Sequence, residues 1–210
     1  MDAARAEREL DLIRDVIART RRQVDPHAFH YVHWGWIVLI WYPVANWLQL
    51  EGQLAAMGGL GVLAVLGGFA LSAWREARLG KERRLAGEDV GLARRVGLVV
   101  LANIAGGVLL SALAPATGFI DGPNVPIVWG LVYANLAFTT GVIYERDFLV
   151  SGVAIFGGVV LALFFQHYNG YILGPVMGLG MILPGRRAEA RVRRLLGAAA
   201  VGEGAVTSEV

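Results

Sequence analysis

The chain has 210 residues, of which 56% are hydrophobic and only 17% charged, and it contains 28 glycines and no cysteine. With a mean hydropathy of +0.53, this composition excludes disordered, collagen-like and disulfide-scaffold classes and fits a membrane protein. The net charge of +2 conceals a segregation, with long uncharged apolar blocks separated by short basic segments, and the lack of cysteine excludes thiol chemistry and thiolate metal sites.

Residues 1–30 carry six arginines and six carboxylates, so they lack the apolar core of a secretory signal and are expected to be retained. Ala6, Leu10, Ile13, Ile17, Thr20 and Val24 recur at alternating spacings of four and three, which predicts an amphipathic helix with an apolar seam. Leu10, Ile13, Ile17 and Val24 are the candidate interaction residues. The seam could lie along the membrane surface, dock on the chain's own loops, or pair with a second copy or another protein. With balanced local charge, attraction to anionic lipid is modest except near Arg19 to Arg22.

Six apolar segments follow, at about 31–50, 54–74, 96–114, 125–144, 148–165 and 168–183. The first five match the roughly 20 residues that cross about 30 Å of hydrocarbon. Backbone groups in lipid must bond internally, so each segment is expected to be helical. The sixth is shorter and carries Pro175, Gly174, Gly178 and Gly180, with Pro184 following, so a short kinked crossing competes with a re-entrant loop. The fold expected is all-α: a polytopic bundle of six transmembrane helices (31–184), preceded by a cytoplasmic amphipathic helix (1–30) and followed by a basic helix and tail (185–210).

Lysine and arginine set the orientation, because those near span ends stay on the cytoplasmic side. All 19 fall before span one, between Arg75 and Arg95, at Arg146, or from Arg186 to Arg194, and the alternate connections around Glu51, 115–124 and Asn169 have none. Both termini are therefore expected on the cytoplasmic side of the membrane. The same basic segments report topology and headgroup contact, and no nucleic-acid partner is expected.

Small residues let membrane helices approach closely, and i, i+4 pairs occur at Gly68 and Ser72, Gly107 and Ser111, Ala154, Gly158 and Ala162, and Gly174 and Gly178. Trp34-Gly35 has a counterpart in Trp129-Gly130, and Gly67-Gly68 in Gly157-Gly158. Such recurrence arises either by chance in a glycine-rich chain or from an inverted three-plus-three repeat of the kind secondary transporters use.

No Asp, Glu, Lys or Arg lies well inside a span, which argues against ion coupling through side-chain carboxylates. Lys81, the sole lysine, falls in a connection. Uncharged polar residues inside spans include Asn46, Ser72, Asn103 and, on span four, Tyr133, Asn135, Thr139 and Thr140. Hydrogen bonding between helices is their default role, and the span-four group could also line a small polar cavity. His27, His30 and His33 form a His-x-x-His-x-x-His run at the entry to span one. Imidazoles bind transition metals, but here a carboxylate ligand would have to come from Asp25 or from afar. An interfacial polar cap is the reading adopted, with no metal and no cofactor expected. No catalytic triad, phosphate loop or zincin motif is present, so the chain is not expected to be an enzyme.

The segment Glu9-Leu-Asp-Leu-Ile-Arg-Asp-Val-Ile17, Trp34-Gly35-Trp36, the stretch from Thr139-Thr140-Gly141 through Asp147-Phe148 to Gly157-Gly158, and Gly180-Met-Ile-Leu-Pro184-Gly185 together resemble a family of small, uncharacterised bacterial integral membrane proteins. The resemblance implies a membrane bundle with an amphipathic N-terminal helix and brings no activity or catalytic residue. The function expected is that of a non-enzymatic accessory, scaffold or regulatory subunit whose partners are the bilayer and, through the N-terminal helix, another protein or a second copy. The alternative is a transporter or channel for a neutral small solute.

Overall fold

The computed structural model describes residues 28–85, 91–118, 124–143 and 146–206. They form six α-helices and no strand: α1 (Ala28–Leu50), α2 (Leu54–Leu85), α3 (Gly91–Ala116), α4 (Val125–Ile143), α5 (Arg146–Phe164) and α6 (Asn169–Val206), with a 3-10 turn at Gln166–Tyr168 before α6. The fold is thus all-α. The predicted N-terminal helix, with Leu10, Ile13, Ile17 and Val24, and also His27, lie outside the described residues.

Among the described residues three helices are long and apolar enough to cross a membrane, Leu54–Arg78, Val125–Val142 and Arg146–Phe164, and Leu98–Leu113 is a shorter apolar stretch. In α1 the apolar run is diluted by His30, His33, Pro43 and Asn46, and in α6 by Asn169, Pro175, Pro184 and the arginines that follow. Several boundaries differ from the sequence expectation: α1 and α3 begin three and five residues early, at Ala28 and Gly91. Helix α2 runs on past Trp74 to Leu85, and α6 continues through Pro184 into the basic segment expected to form a separate helix. Each internal proline removes one N–H bond to the carbonyl four residues back, a local loss that a long helix tolerates when its flanking turns are packed.

Buried residues of four helices make the core: Val38 of α1, Ile127, Ala134 and Ala137 of α4, Ile155, Val159 and Ala162 of α5, and Leu173 and Met177 of α6. The most extensive seam joins the first helix to the last. A methyl group placed on Gly178 would sit 2.6 Å from Leu39 Cβ and 2.9 Å from the Gly35 carbonyl, and one on Gly35 would sit 2.9 Å from the Gly178 carbonyl. Gly174 likewise leaves room for the Pro43 ring, 2.6 Å from where its Cβ would be. The expected Gly174–Gly178 face is therefore a helix-packing face, extended one turn by Gly170 against the Tyr42 carbonyl. Ser72, Gly107 and Gly158 also face neighbouring helices, whereas Ala154 is exposed.

Helices α2 and α3 stand at the periphery. Helix α2 packs on α1 through Gly61 under Trp41 and Gly68 under Trp34 and Ile37, and α3 packs on α4 through Gly107 against Trp129 and Val132. Only 6% of the Leu54–Arg78 window is buried, and Leu63, Leu66, Leu101 and Leu109 are each about 60% exposed. Apolar surface this continuous suits a lipid environment. The two halves are not packed alike: α5 packs on both α4 and α6, whereas α2 packs on α1 and not appreciably on α3. Gly35 meets α6, but Gly130, its proposed counterpart, meets Val159 of α5 and Leu173 of α6. These recurring dipeptides therefore do not occupy equivalent packing positions.

Candidate functional site

The densest polar cluster lies where the N-terminal end of α1 crosses α2. His33, buried on α1, has Nδ1 3.3 Å from the Phe29 carbonyl one turn earlier. Nε2 faces a second carbonyl, that of Gly68, at the same 3.3 Å, so either ring nitrogen can be the donor to a backbone acceptor. Nε2 lies 3.1 Å from Ser72 Oγ, and the Trp34 indole Nε1–H donates to the same oxygen at 3.2 Å. Trp34 thus donates to Ser72, and Ser72 shares a hydrogen bond with His33, which ties α2 to α1.

One turn towards the chain's start, His30 Nε2 pairs with Glu76 Oε1 at 2.8 Å, and the Arg75 guanidinium lies 4.6 Å from the Phe29 ring centroid. The Phe29 and His33 rings are stacked at 4.9 Å. Buried Arg75 Nε has no hydrogen-bond partner among the described residues, so the cation is held chiefly by the ring face beneath it. The histidine run therefore diverges: His30 engages Glu76 and His33 engages Ser72. Among the described residues no three His, Cys, Asp or Glu side chains converge as a metal site would require.

The four span-four polar residues are shared among different neighbours. Thr140 is buried and bonds the Tyr31 hydroxyl of α1. Tyr133 packs against the core beside Tyr42 and Val176. Asn135 is exposed and donates to Asn103 Oδ1 of α3 at 2.5 Å, while Asn103 donates to the Val99 carbonyl on its own helix at 2.9 Å. Thr139 is half-buried. An open cleft of about 250 Å³ lies instead at the opposite end of the bundle, lined by Leu50, Phe164, Phe165, Gln166, His167 and Tyr168.

Two polar connections were not anticipated from the sequence. Asn46, 3% exposed, donates through Nδ2 to the His167 carbonyl at 2.9 Å and accepts the Gly170 N–H through Oδ1 at 2.7 Å. It thus clamps the 3-10 turn and caps the first turn of α6, whose leading N–H groups have no partner within the helix. At the other end, Asp147 in the first turn of α5 receives Arg191 at 2.7 Å and Arg187 at 3.7 Å, fastening the extension of α6 to the start of α5. The sequence signals were an amide inside an aromatic-rich helix and an acid in the first turn of α5 with a basic tail to follow. Neither names its partner.

No family model, curated protein or solved structure matches this chain.

Proposed function

We propose that this chain is a non-enzymatic membrane protein with six spans and both termini on the cytoplasmic side of a bacterial inner membrane, and that it serves as an accessory, scaffold or regulatory subunit. The N-terminal helix, through Leu10, Ile13, Ile17 and Val24, is its site for a protein partner. One observation carries the reading: the buried polar side chains His33, Asn46 and Thr140 each bond a neighbouring helix rather than converge on a cavity where a substrate could sit. The exposed apolar surfaces of α2 and α3 support the membrane setting, and the distribution of arginine supports the orientation.

The test is affinity capture of the full chain from membranes, with and without Leu10→Asp, Ile13→Asp and Ile17→Asp together. A partner lost from the triple variant, with the bundle eluting unchanged in detergent, is the expected result. The same set of partners on both proteins overturns the reading. Reporter fusions after Leu183 and before Tyr31 check the orientation, and an outward-facing reporter at either place contradicts it.

A further inference from the structure

Helix α5 presents one continuous exposed stripe. Arg146, Val150, Val153 and Gly157 follow one another at four, three and four residues and so share a face. Val150 and Val153 are 71% and 63% exposed, and nothing lies within 4 Å of the position a Gly157 Cβ would take. Helix α6 repeats the pattern in reverse: exposed Leu179 and Leu183 lead at four and three residues to Arg186, with Arg187 beside it. The two helices pack antiparallel, Gly158 against Val176 and Gly180 against Ile155. In right-handed helices so arranged, both stripes fall on the same side of the contact. Each changes from apolar to basic at the same end of the bundle, where Arg187 and Arg191 reach Asp147.

We propose that this end of the α5–α6 groove binds an anionic phospholipid, its phosphate held by Arg146, Arg186 and Arg187 and its acyl chains lying along the two apolar stripes. The proposal rests on the membrane-spanning reading above and adds a ligand to it. Two observations select the occupant. The first is charge. Arg146, Arg186, Arg187 and Arg191 stand against the carboxylates Asp147 and Glu189, an excess of basic groups. Arg191 takes the closer place on Asp147, at 2.7 Å, and leaves Arg187 at 3.7 Å and 67% exposed. Arg146 and Arg186 are exposed and make no ion pair among the described residues. The second is the join between arginines and apolar stripes. Leu183 and Arg187 are about 6 Å apart along the helix axis, which matches the step of about 5 to 7 Å from hydrocarbon through the headgroup region. A soluble anion or an acidic protein would use the arginines and leave the stripes bare, and an uncharged lipid would use the stripes alone.

In the test, the full chain in mild detergent is titrated with phosphatidylglycerol, with phosphatidylcholine of the same acyl chains, and with glycerol phosphate, and bound adducts are counted by native mass spectrometry. Phosphatidylglycerol should bind with the higher affinity, and excess glycerol phosphate should not displace it. Arg146→Gln and Arg186→Gln should each weaken phosphatidylglycerol binding roughly fivefold, the contribution of one arginine beside an anionic headgroup, and leave phosphatidylcholine unchanged. Arg78→Gln, at an exposed position on α2, should change neither. Equal binding of the two lipids by the wild type overturns the proposal, whether or not the variants fold. So does displacement by glycerol phosphate, which marks a soluble-anion site, and so do equal losses from Arg78→Gln and the α5 and α6 variants, which mark diffuse charge. The chain has no native cysteine, so Val153→Cys separates the lipid site from the spanning reading. Its labelling by a membrane-impermeant maleimide in opened membranes contradicts the spanning reading. Protection together with equal binding of the two lipids contradicts only the lipid site.

Discussion

Replacing Gly178 with alanine tests the seam between the first and last helices. The added methyl carbon would lie 2.6 Å from Leu39 Cβ, 2.9 Å from Leu39 Cα and 2.9 Å from the Gly35 carbonyl oxygen, whereas non-bonded carbons settle at about 3.5 to 4.0 Å. All three obstacles are backbone atoms or attached directly to it, so no rotamer change relieves them, and the helices must separate by roughly 1 Å. Overpacking of this kind costs about 1 to 3 kcal/mol, a change of roughly 5- to 150-fold in the unfolding equilibrium. Gly157, with nothing within 4 Å of its would-be Cβ, is the matched control on α5, and Gly157→Ala should alter stability by no more than about 0.5 kcal/mol. Equilibrium unfolding in mixed detergent micelles, followed by tryptophan fluorescence, measures both. A Gly178→Ala protein as stable as Gly157→Ala would refute the claim that direct backbone approach holds α1 to α6.

Asn46→Ala removes both bonds of the clamp and leaves the His167 carbonyl and the Gly170 N–H without their partner. The expected loss is about 1 to 3 kcal/mol, accompanied by faster proteolysis at the Phe165–Tyr168 turn; unchanged cleavage there argues against a clamp. For the hydrogen bond between His33 and Ser72, a double-mutant cycle of His33→Phe and Ser72→Ala should yield a coupling energy of about 0.6 to 1.7 kcal/mol, and strict additivity would show that the two side chains act independently.

The sequence carried different parts of this architecture to different depths. Uninterrupted apolar blocks placed α1, α4 and α5 to within three residues, because a run of apolar residues that long leaves the pattern of a helix, whereas α3 begins five residues before its expected span. The ends of α2 and α6 were missed, since a helix that continues into a polar segment loses the hydropathy contrast that marks its boundary. Gly174 and Gly178 were legible as a packing face, yet the four-residue spacing does not say which helix they meet. Gly35 was read as half of a recurring dipeptide, when its local role is to lie against Gly178. The polar residues show the same limit. Asn46, Ser72, Asn103 and Thr140 were recognisable as interior bond formers, but their partners depend on how six helices are arranged side by side, which period and composition do not encode.

The seam between Gly35 and Gly178 also bears on how the protein is made. Among the described helices α1 is synthesised first and its principal partner α6 last, so the flat glycine face, Pro43 and the buried Asn46 await their partner while four intervening helices are made. Until Asn169–Ile182 has left the ribosome, the Asn46 amide has neither the His167 carbonyl nor the Gly170 N–H to bond. Closure of the bundle is thus a late event in the life of each chain. A polypeptide stopped short of α6 keeps its other helices but lacks the one that packs along the first of them.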